Sequence, residues 1–289
     1  MENIMIPMDI QKGEKSLLEI KELMDELKVI FFLRHGTCLG AVRDGQLITW
    51  DDDIDIGSII EMNGLDEKSI YKIVDNFKLN GFKAEVFESS FHISVSISKF
   101  GISIDWTCYK ILQGNIYQYP AVKIPVELYD DLKPISFLGT TFFVPNPPEK
   151  YLSLKYGSEW KTPKKTGYEN DIINSIPESV IPEQSGIFTR IHKFFFPNKY
   201  ITKIQILNHE KNPVELANVT LVGLSKRITN HQGYAEFDLL IKDWYAVIIE
   251  KGKEKEILYE ESLKPGSNYY YLPDKNKTSG RTYILKEEN

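Results

Sequence analysis

The stretch GTCLGAVRDGQLITWDDDIDI, residues 36–56, constrains the fold of this chain more than any other segment. Its last six residues include four aspartates, and like charges at that spacing repel one another unless a positive group lies among them. The apolar neighbours Trp50, Ile54 and Ile56 are typical of a strand and argue against a solvated acidic turn. The stretch therefore predicts a strand that carries a site for a positive partner.

Strand geometry sorts these side chains by face. Asp53 and Asp55 are two residues apart, so on a strand both carboxylates point to one face, while Ile54 and Ile56 point into a core. Paired carboxylates near a strand end are ligands that Mg²⁺ or Mn²⁺ prefers. A third carboxylate on a neighbouring strand completes such a site. Asp105, in the strand-like run ISIDWT, is the candidate, and its alternative role is a charge at a strand edge.

A calcium-binding EF-hand loop is an alternative use of closely spaced aspartates. Asp51, Asp53 and Asp55 match the first three ligand positions of that loop. Ile56 then stands where the loop needs glycine, and Met62 stands where it needs glutamate. The EF-hand pattern therefore fails, and a metal site on a strand is the better interpretation.

Composition and charge narrow the class of protein. With 42% hydrophobic and 26% charged residues, the 289-residue chain is typical of a soluble globular protein of one or two domains. The net charge of −6 argues against a nucleic-acid-binding protein that works through a basic surface. The sequence shows no apolar run of membrane-spanning length and no signal-peptide pattern, and its two cysteines indicate a reducing compartment. We therefore expect a cytoplasmic location.

Periodicity predicts an α+β chain of two domains. Helical spacing predicts helices at 14–28, at 67–79 and near 149–156, and apolar or alternating runs predict strands before Gly36, at 49–60 and between 82 and 110. This mixed sheet with helices forms the first domain, residues 1–197, whose proline-rich end at 170–200 predicts a domain junction. Short alternating strands at a spacing of roughly 8 to 12 residues predict a small all-β sandwich at 198–289.

Gly36 and Thr37 lie between a predicted strand and a short predicted helix at residues 37–43. In a turn of small residues, backbone N–H groups and a hydroxyl can approach phosphate oxygens closely. Together with the acidic strand, this arrangement resembles the nucleotidyltransferase fold. In that fold a glycine turn holds the phosphates of a nucleotide and an Asp-x-Asp strand holds the metal.

The resemblance extends to one family. GTCLGAVRDGQLITWDDDIDIG strongly resembles the signature of the LicD family, and YGSEWKTP, residues 156–163, resembles its second and looser motif. The family moves a phospho-alcohol, such as phosphocholine or ribitol phosphate, from a CDP-activated donor to a sugar hydroxyl. The resemblance therefore implies a transferase with a CDP-activated donor, a glycan or glycolipid acceptor, and Mg²⁺ or Mn²⁺ as cofactor.

The resemblance also implies roles for particular residues. Asp53 and Asp55 would be metal ligands, and Asp105 would be a third ligand or a general base. Gly36, Thr37 and Arg43 would face the donor. For Arg43 the alternative is a salt bridge with Asp44 or Asp51, and Asp44 stands where many relatives have histidine, which puts the identity of the donor in doubt.

Other polar residues carry weaker signals. Lys161, Lys164 and Lys165 form a basic loop that either closes over the donor or is solvated. His35 fits a structural role beside the glycine turn. His92 and Lys99, on the predicted hairpin beside Asp105, are weaker candidates for contact with substrate.

Residues 212–251 resemble the carboxypeptidase-regulatory-like β-sandwich family, with Gly233, Tyr234, Phe237 and Tyr245 where its pattern expects them. The resemblance implies an accessory module that positions a glycan acceptor or mediates assembly. The tyrosines at 269–271 either stack on sugar rings or pack within a strand.

Two other functions stay open on the sequence. One is a nucleotidyltransferase that attaches an NMP group to a small molecule or protein, since the same aspartates would serve it. The other is a non-catalytic protein that binds a nucleotide or sugar. We expect no nucleic-acid partner and no transmembrane segment, and peripheral association with a membrane is left open.

Overall fold

A computed structural model describes residues 7–165, 168–173, 175–177, 179–182, 187–274, 281–282 and 284–288. The chain divides into two compact units. The first consists of Met1–Tyr117 and Ile124–Lys165, and the second of Gln118–Lys123 and Thr166–Asn289. The predicted domain boundary between residues 197 and 198 stays a prediction, because compactness alone does not show that a segment folds independently.

The helices of the first unit follow the predicted periodicity. They are α1 (Ile10–Glu26), α2 (His35–Arg43), α3 (Glu67–Leu79) and α4 (Pro148–Tyr156). Asp9 and Asp66 cap α1 and α3, because each carboxylate accepts a hydrogen bond from the amide three residues on. Leu17, Ile20 and Met24 on one face of α1 are fully buried. The predicted amphipathic helix is therefore confirmed.

Five strands of the first unit form one mixed sheet. They are β1 (Phe32–Leu33), β2 (Asp53–Ile59), β3 (Lys83–Glu88), β4 (His92–Lys99) and β5 (Ile102–Tyr109), in the order β1-β2-β5-β4-β3. Strands β2 and β5 are parallel, and the other neighbours are antiparallel. The parallel register places Asp55 directly beside Asp105. The mixed sheet agrees with the predicted α+β class.

Alternation along β2 and β5 separates a core face from a polar face. Ile54, Ile56, Ile104 and Trp106 are fully buried, as the alternation of apolar and acidic residues predicts. The ring of Phe77 from α3 packs edge-on against Trp106 with centroids 5.9 Å apart. This core fixes both strands, so the aspartates between these apolar residues lie on the other face.

Two strand pairs complete the strands of the first part of the chain. Strand β6 (Asn115–Gln118) pairs with β7 (Val122–Pro125), and β8 (Lys133–Phe137) pairs with β9 (Thr140–Val144). Helix α5 (Tyr168–Ile173) overlaps the segment at 170–200 that is predicted to be a domain junction, and α6 (Ile187–Phe195) lies within it.

The second unit contains two sheets. Their strands are β10 (Ile201–Ile206), β11 (Asn218–Leu221), β12 (Ser225–Ile228), β13 (Tyr234–Asp238), β14 (Asp243–Lys251), β15 (Glu254–Leu263), β16 (Asn268–Tyr271), β17 (Arg281–Thr282) and β18 (Lys286–Glu287). One sheet has the order β13-β10-β16-β18 and the other β12-β11-β14-β15-β17. Both contribute to one hydrophobic core.

Two of the three tyrosines at 269–271 belong to that core. Tyr269 and Tyr271 are buried in it, so they pack within the strand and do not stack on sugars. The resemblance of this unit to the carboxypeptidase-regulatory-like family stays a prediction.

The structure corrects the local prediction around Gly36. The glycine lies inside the first turn of α2 and not in a turn before it. His35 takes the left-handed conformation there, with φ of 43°. Strand β2 begins at Asp53, so Trp50, Asp51 and Asp52 precede it as irregular chain.

Candidate active site at the ends of the parallel strands

The positive partner of the acidic stretch is Arg34, which follows β1 directly. Its side chain is 3% exposed, and its Nη2 atom lies 3.0 Å from Asp55 Oδ1 and 2.5 Å from Asp105 Oδ2. Its Nε atom donates to the carbonyl of Ile56 at 3.0 Å. Burial lowers the pKa of Arg34, but the nearby charges, among them those of Asp55 and Asp105, outweigh it and raise the pKa above its usual value. Arg34 therefore joins the two parallel strands as a fixed cation.

Asp55 is held in its ionised form. Burial raises the pKa of its carboxyl, but attraction to Arg34 and then to His35 brings the pKa down to about 2. The backbone N–H of Asp55 donates to Thr37 Oγ1 at 2.8 Å, which ties α2 to β2. Thr37 is buried and its hydroxyl braces the strand, so the predicted contact of Thr37 with the donor stays a prediction.

Asp51 and Asp53 are in the opposite electrostatic condition. Burial, and then repulsion from Asp55 and Asp52, raises the pKa of Asp51 to about 7. Burial, and then repulsion from Asp55 and Asp51, raises the pKa of Asp53 well above its usual value. Carboxylate oxygens of Asp51, Asp52 and Asp53 lie within 4.8 Å of one another. A divalent cation would relieve this repulsion, and clustered carboxylate oxygens are the donors that Mg²⁺ and Mn²⁺ prefer.

The ligand set suggested by this geometry overlaps the predicted set at Asp53. Asp105 is already engaged, because its Oδ2 accepts from Arg34 and its Oδ1 accepts from the hydroxyl of Ser94 at 2.7 Å. Asp51 and Asp52, which the sequence did not single out as ligands, lie closer to Asp53 in the irregular chain before β2. Metal ligation by Asp53, Asp55 and Asp105 stays a prediction, to which the structure adds Asp51 as a candidate. Hereafter Asp51, Asp52, Asp53, Asp55 and Asp105 are called the acidic cluster.

The raised pKa of Asp51 predicts a pH-dependent effect of Mg²⁺. Without a cation, Asp51 stays protonated in the folded protein up to about pH 7 but ionises near its usual pKa in the unfolded chain. The folded state then binds more protons than the unfolded state, so the free energy of unfolding falls as pH rises from about 4 to about 7. Saturating Mg²⁺ should therefore raise Tm more at about pH 8 than at about pH 5. Equal gains at the two pH values, measured in thermal melts, would contradict a cation at Asp51.

Gly36 is needed for the close approach of Asp51. A Cβ atom at this position would lie 2.0 Å from Asp51 Oδ2. The glycine is therefore a site of contact between α2 and the acidic cluster. His35, beside it, donates its backbone N–H to Tyr151 Oη of α4 at 3.0 Å. Burial, and then repulsion from Lys155 and Arg34, lowers the pKa of His35 to about 3, so the ring is neutral near pH 7, in line with a structural role.

Replacing Gly36 by alanine tests the position of Asp51. The new methyl group should displace the Asp51 carboxylate and weaken Mg²⁺ binding by about tenfold or more, while the helix tolerates alanine. Calorimetric titration with Mg²⁺ measures the change. Gly13→Ala is the matched control, since Gly13 is also helical and its nearest neighbour is the flexible Met8 Sδ at 3.1 Å. If both variants bind Mg²⁺ like the wild type, Asp51 is not a ligand.

Three other predicted candidates have structural partners. Arg43 pairs with Asp44, with Nε 2.9 Å from Oδ1 and Nη2 2.7 Å from Oδ2, so the salt bridge that the sequence left open is present. Lys99 Nζ lies 2.7 Å from Glu19 Oε2 of α1 and also contacts the carbonyl of Asn80. His92, partly buried in β4, has its Nδ1 atom 3.2 Å from Ser89 Oγ, and burial lowers the pKa of His92 to about 4. Contact of Arg43 with a donor stays a prediction.

Two lysines lie near the acidic cluster. Lys155, on α4, is buried, and burial followed by repulsion from Arg34 lowers the pKa of Lys155 to about 7, against the attraction of Asp55. Lys165 Nζ lies 5.3 Å from the centre of the Trp50 ring, which brings the basic loop beside the acidic stretch. Sequence reasoning named Lys165 but missed Lys155 and Arg34. The available signal for Arg34 was a single charge closing the apolar run VIFFL.

Comparison with known proteins agrees with the resemblance drawn from the motifs. Residues 28–147, which include the whole five-stranded sheet, match the family model for LicD/FKTN/FKRP, nucleotidyltransferase domain. The chain is also similar to the ribitol-5-phosphate transferase FKTN of Macaca fascicularis, with 26% identity over 183 residues. The match covers 57% of this chain and 37% of that relative, so the chain spans little more than a third of its length. The predicted resemblance to the LicD family is confirmed.

Within the part of the chain that the structure describes, every helix is too short or too polar to cross a bilayer.

Proposed function

We propose that this chain, whose residues 28–147 carry a LicD/FKTN/FKRP nucleotidyltransferase domain, is a metal-dependent transferase of phospho-alcohol groups. The observation that carries the proposal is the acidic cluster on and just before β2 and on its parallel neighbour β5 inside that domain, with the buried Arg34 paired to Asp55 and Asp105. The similarity to a ribitol-5-phosphate transferase supports this reaction class. We propose a CDP-activated alcohol, such as CDP-choline or CDP-ribitol, as the donor and a glycan or glycolipid hydroxyl as the acceptor.

We propose that Asp53 and Asp55 hold the cation and that Asp51 joins them. Within the acidic cluster, burial and then repulsion from neighbouring aspartates raise the pKa of Asp51 and Asp53, so these two gain most from a bound cation. A bound Mg²⁺ would neutralise the pyrophosphate of the donor and stabilise the charge on the departing CMP. Asp55 is paired with Arg34, and this pair keeps the Asp55 carboxylate ionised at neutral pH.

We propose that Asp105, held by Arg34, acts on the acceptor hydroxyl. In the transfer, an acceptor hydroxyl oxygen forms a new bond to the phosphorus that bears the alcohol. The bond from this phosphorus to the bridging oxygen breaks, and CMP leaves with the electron pair. The hydroxyl proton passes to a base, and we propose Asp105 for this role, since 37% of its side chain is exposed and Arg34 and Ser94 fix both oxygens.

The donor phosphates require cations from the chain as well as the metal. We propose that the loop of Lys161, Lys164 and Lys165 contributes them, because Lys165 already lies against Trp50 beside the acidic cluster. Arg43 can serve as a phosphate fork after its pair with Asp44 opens.

One observation favours a second candidate function. The matching family model is described as a nucleotidyltransferase domain, and transfer of an NMP group to a small molecule or protein would use the same acidic cluster. In that reaction the nucleotide stays with the acceptor and pyrophosphate leaves.

The released product distinguishes the two reactions. The full chain is incubated with Mg²⁺ and a CDP-alcohol or an NTP, and CMP and pyrophosphate are quantified by chromatography. We expect CMP from one CDP-alcohol and no turnover with EDTA. Pyrophosphate from an NTP, without CMP from any CDP-alcohol, would replace the first function by the second. If Asp53→Asn and Asp55→Asn bind nucleotide like the wild type and neither product forms, the chain is a binding protein.

A further inference from the structure

Helix α6 and the residue after it carry apolar side chains on the surface. Phe194 is 81% exposed and Phe195 67%, and Ile191 and Phe196 are each half exposed. Ile191, Phe194 and Phe195 are spaced i, i+3 and i+4, so they share one face of the helix. Exposed apolar residues on a soluble protein are normally scattered singly, so a continuous aromatic face indicates a surface that another body covers.

Lysines lie beside this aromatic face. The segment 191–209 contains Lys193, Lys199 and Lys203 and no acidic residue, within a chain of net charge −6. Lys199 Nζ lies 5.0 Å from the centre of the Phe196 ring. Lys193 and Lys203 lie 3.2 Å and 2.8 Å from carboxylates of β13, and both pairs are partly solvent-exposed. The border of the aromatic face is therefore basic at Lys199, while Lys193 and Lys203 share it with their carboxylate partners.

Contacts within the chain brace one end of this face. The backbone N–H of Phe196 donates to the carbonyl of His192 at 2.8 Å, and the two rings lie 4.9 Å apart. His192 Nδ1 lies 2.9 Å from Tyr200 Oη, which ties the end of α6 to the start of β10. A preorganised surface loses little conformational freedom on binding, and this favours association.

We propose that this face, formed by Ile191, Phe194, Phe195 and Phe196 with Lys193 and Lys199, docks on an anionic lipid bilayer. Aromatic side chains enter the boundary between headgroups and acyl chains, and flanking lysines meet anionic headgroups. The nine residues of α6 are too few to cross a bilayer, so the helix lies on the surface. The basic border favours anionic headgroups over a neutral apolar groove on a protein. This proposal goes beyond the transferase activity and needs no donor or metal.

Vesicle flotation with the full chain tests the proposal. Vesicles of phosphatidylcholine alone are compared with vesicles that also contain phosphatidylglycerol, at low and high salt. We expect binding to the anionic vesicles that weakens at high salt, because salt screens the headgroup charge. The double variant Phe194→Ser/Phe195→Ser should bind at least about tenfold more weakly, and Lys199→Glu should weaken binding about fivefold or more.

Matched controls separate docking from general surface effects. Leu79→Ser removes an apolar side chain that is 85% exposed on α3, and Lys253→Glu changes an exposed charge in the β14–β15 turn. Both should bind vesicles like the wild type. Equal vesicle binding by the double phenylalanine variant and the wild type would overturn the proposal, as would no binding to anionic vesicles at low salt. A wild-type dimer that the double variant converts to a monomer, without vesicle binding, would assign the face to a second copy of the chain.

Discussion

Asp53→Asn should abolish transfer while leaving the fold at least as stable as the wild type. The substitution removes a carboxylate that we propose as a metal ligand, and loss of such charge stabilisation lowers kcat by on the order of 10³-fold. It also removes a carboxyl whose ionisation is opposed by burial and by the neighbouring aspartates, so without a cation Tm should not fall. Turnover measured with Mg²⁺ tests the first effect, and thermal melts in EDTA test the second, both at about pH 8.

Asp55→Asn provides the contrast that makes this result specific. Asp55 is paired with Arg34 at 3.0 Å, so neutralising it leaves a buried guanidinium with one carboxylate fewer. This variant should lose both activity and stability, with a cost of about 2–4 kcal/mol. If Asp53→Asn is destabilised as much as Asp55→Asn, the electrostatic division between the two aspartates is wrong. If Asp53→Asn keeps wild-type turnover, Asp53 is not a metal ligand.

Arg34→Met should destabilise the first unit more than any other single surface or site substitution considered above. The methionine fills part of the space but leaves Asp55 and Asp105 side by side without their common cation. Breaking a buried ion pair in this way costs about 3–5 kcal/mol, which corresponds to a fall in Tm of about 10 °C or more. Thermal and urea melts of the full chain measure this loss.

Lys12→Met is the control for Arg34→Met. Lys12 pairs with Asp9 at 3.3 Å on the surface of α1, where water screens both charges. Its Tm should stay within error of the wild type. A fall in Tm of similar size in the two variants would show that Arg34 has no special place in the fold. A stable Arg34→Met protein with normal turnover would remove Arg34 from the site altogether.

Local pattern predicted the elements that form the site. The alternation of Asp53, Ile54, Asp55 and Ile56 predicted which face of β2 is acidic, because side-chain direction in a strand depends only on position. The apolar spacing in α1 predicted its buried face for the same kind of reason. The conclusion that four aspartates need a positive partner followed from Coulomb repulsion alone.

Long-range pairing could not be predicted in the same way. Arg34 and Asp105 are 71 residues apart, and they meet because β2 pairs with β1 on one side and with the parallel strand β5 on the other, each in one particular register. Asp51 lies in irregular chain before β2 and comes close to Gly36. The sequence predicts a strand across 49–60, and this contact does not follow from that prediction. Such contacts depend on tertiary register, which one sequence does not reveal.

Helix α6 shows a different kind of miss. The prolines between residues 170 and 200 predict a domain junction, and no helix is predicted there. The helix ends at Phe195, two residues before Pro197, so proline limits it rather than preventing it. The exposure of its phenylalanines is a tertiary property that periodicity does not predict.

One binding measurement tests the central claim most directly, namely that the acidic cluster around Arg34 is a metal and nucleotide site. Thermal shifts are recorded for the wild type and Asp53→Asn with CDP-choline, CDP-ribitol, CDP-glycerol, CTP, ATP and UTP, each with Mg²⁺ and with EDTA. The account predicts a Mg²⁺-dependent rise in Tm with one CDP-alcohol for the wild type and none for the variant. An equal rise in both proteins, or a rise that persists in EDTA, would contradict it.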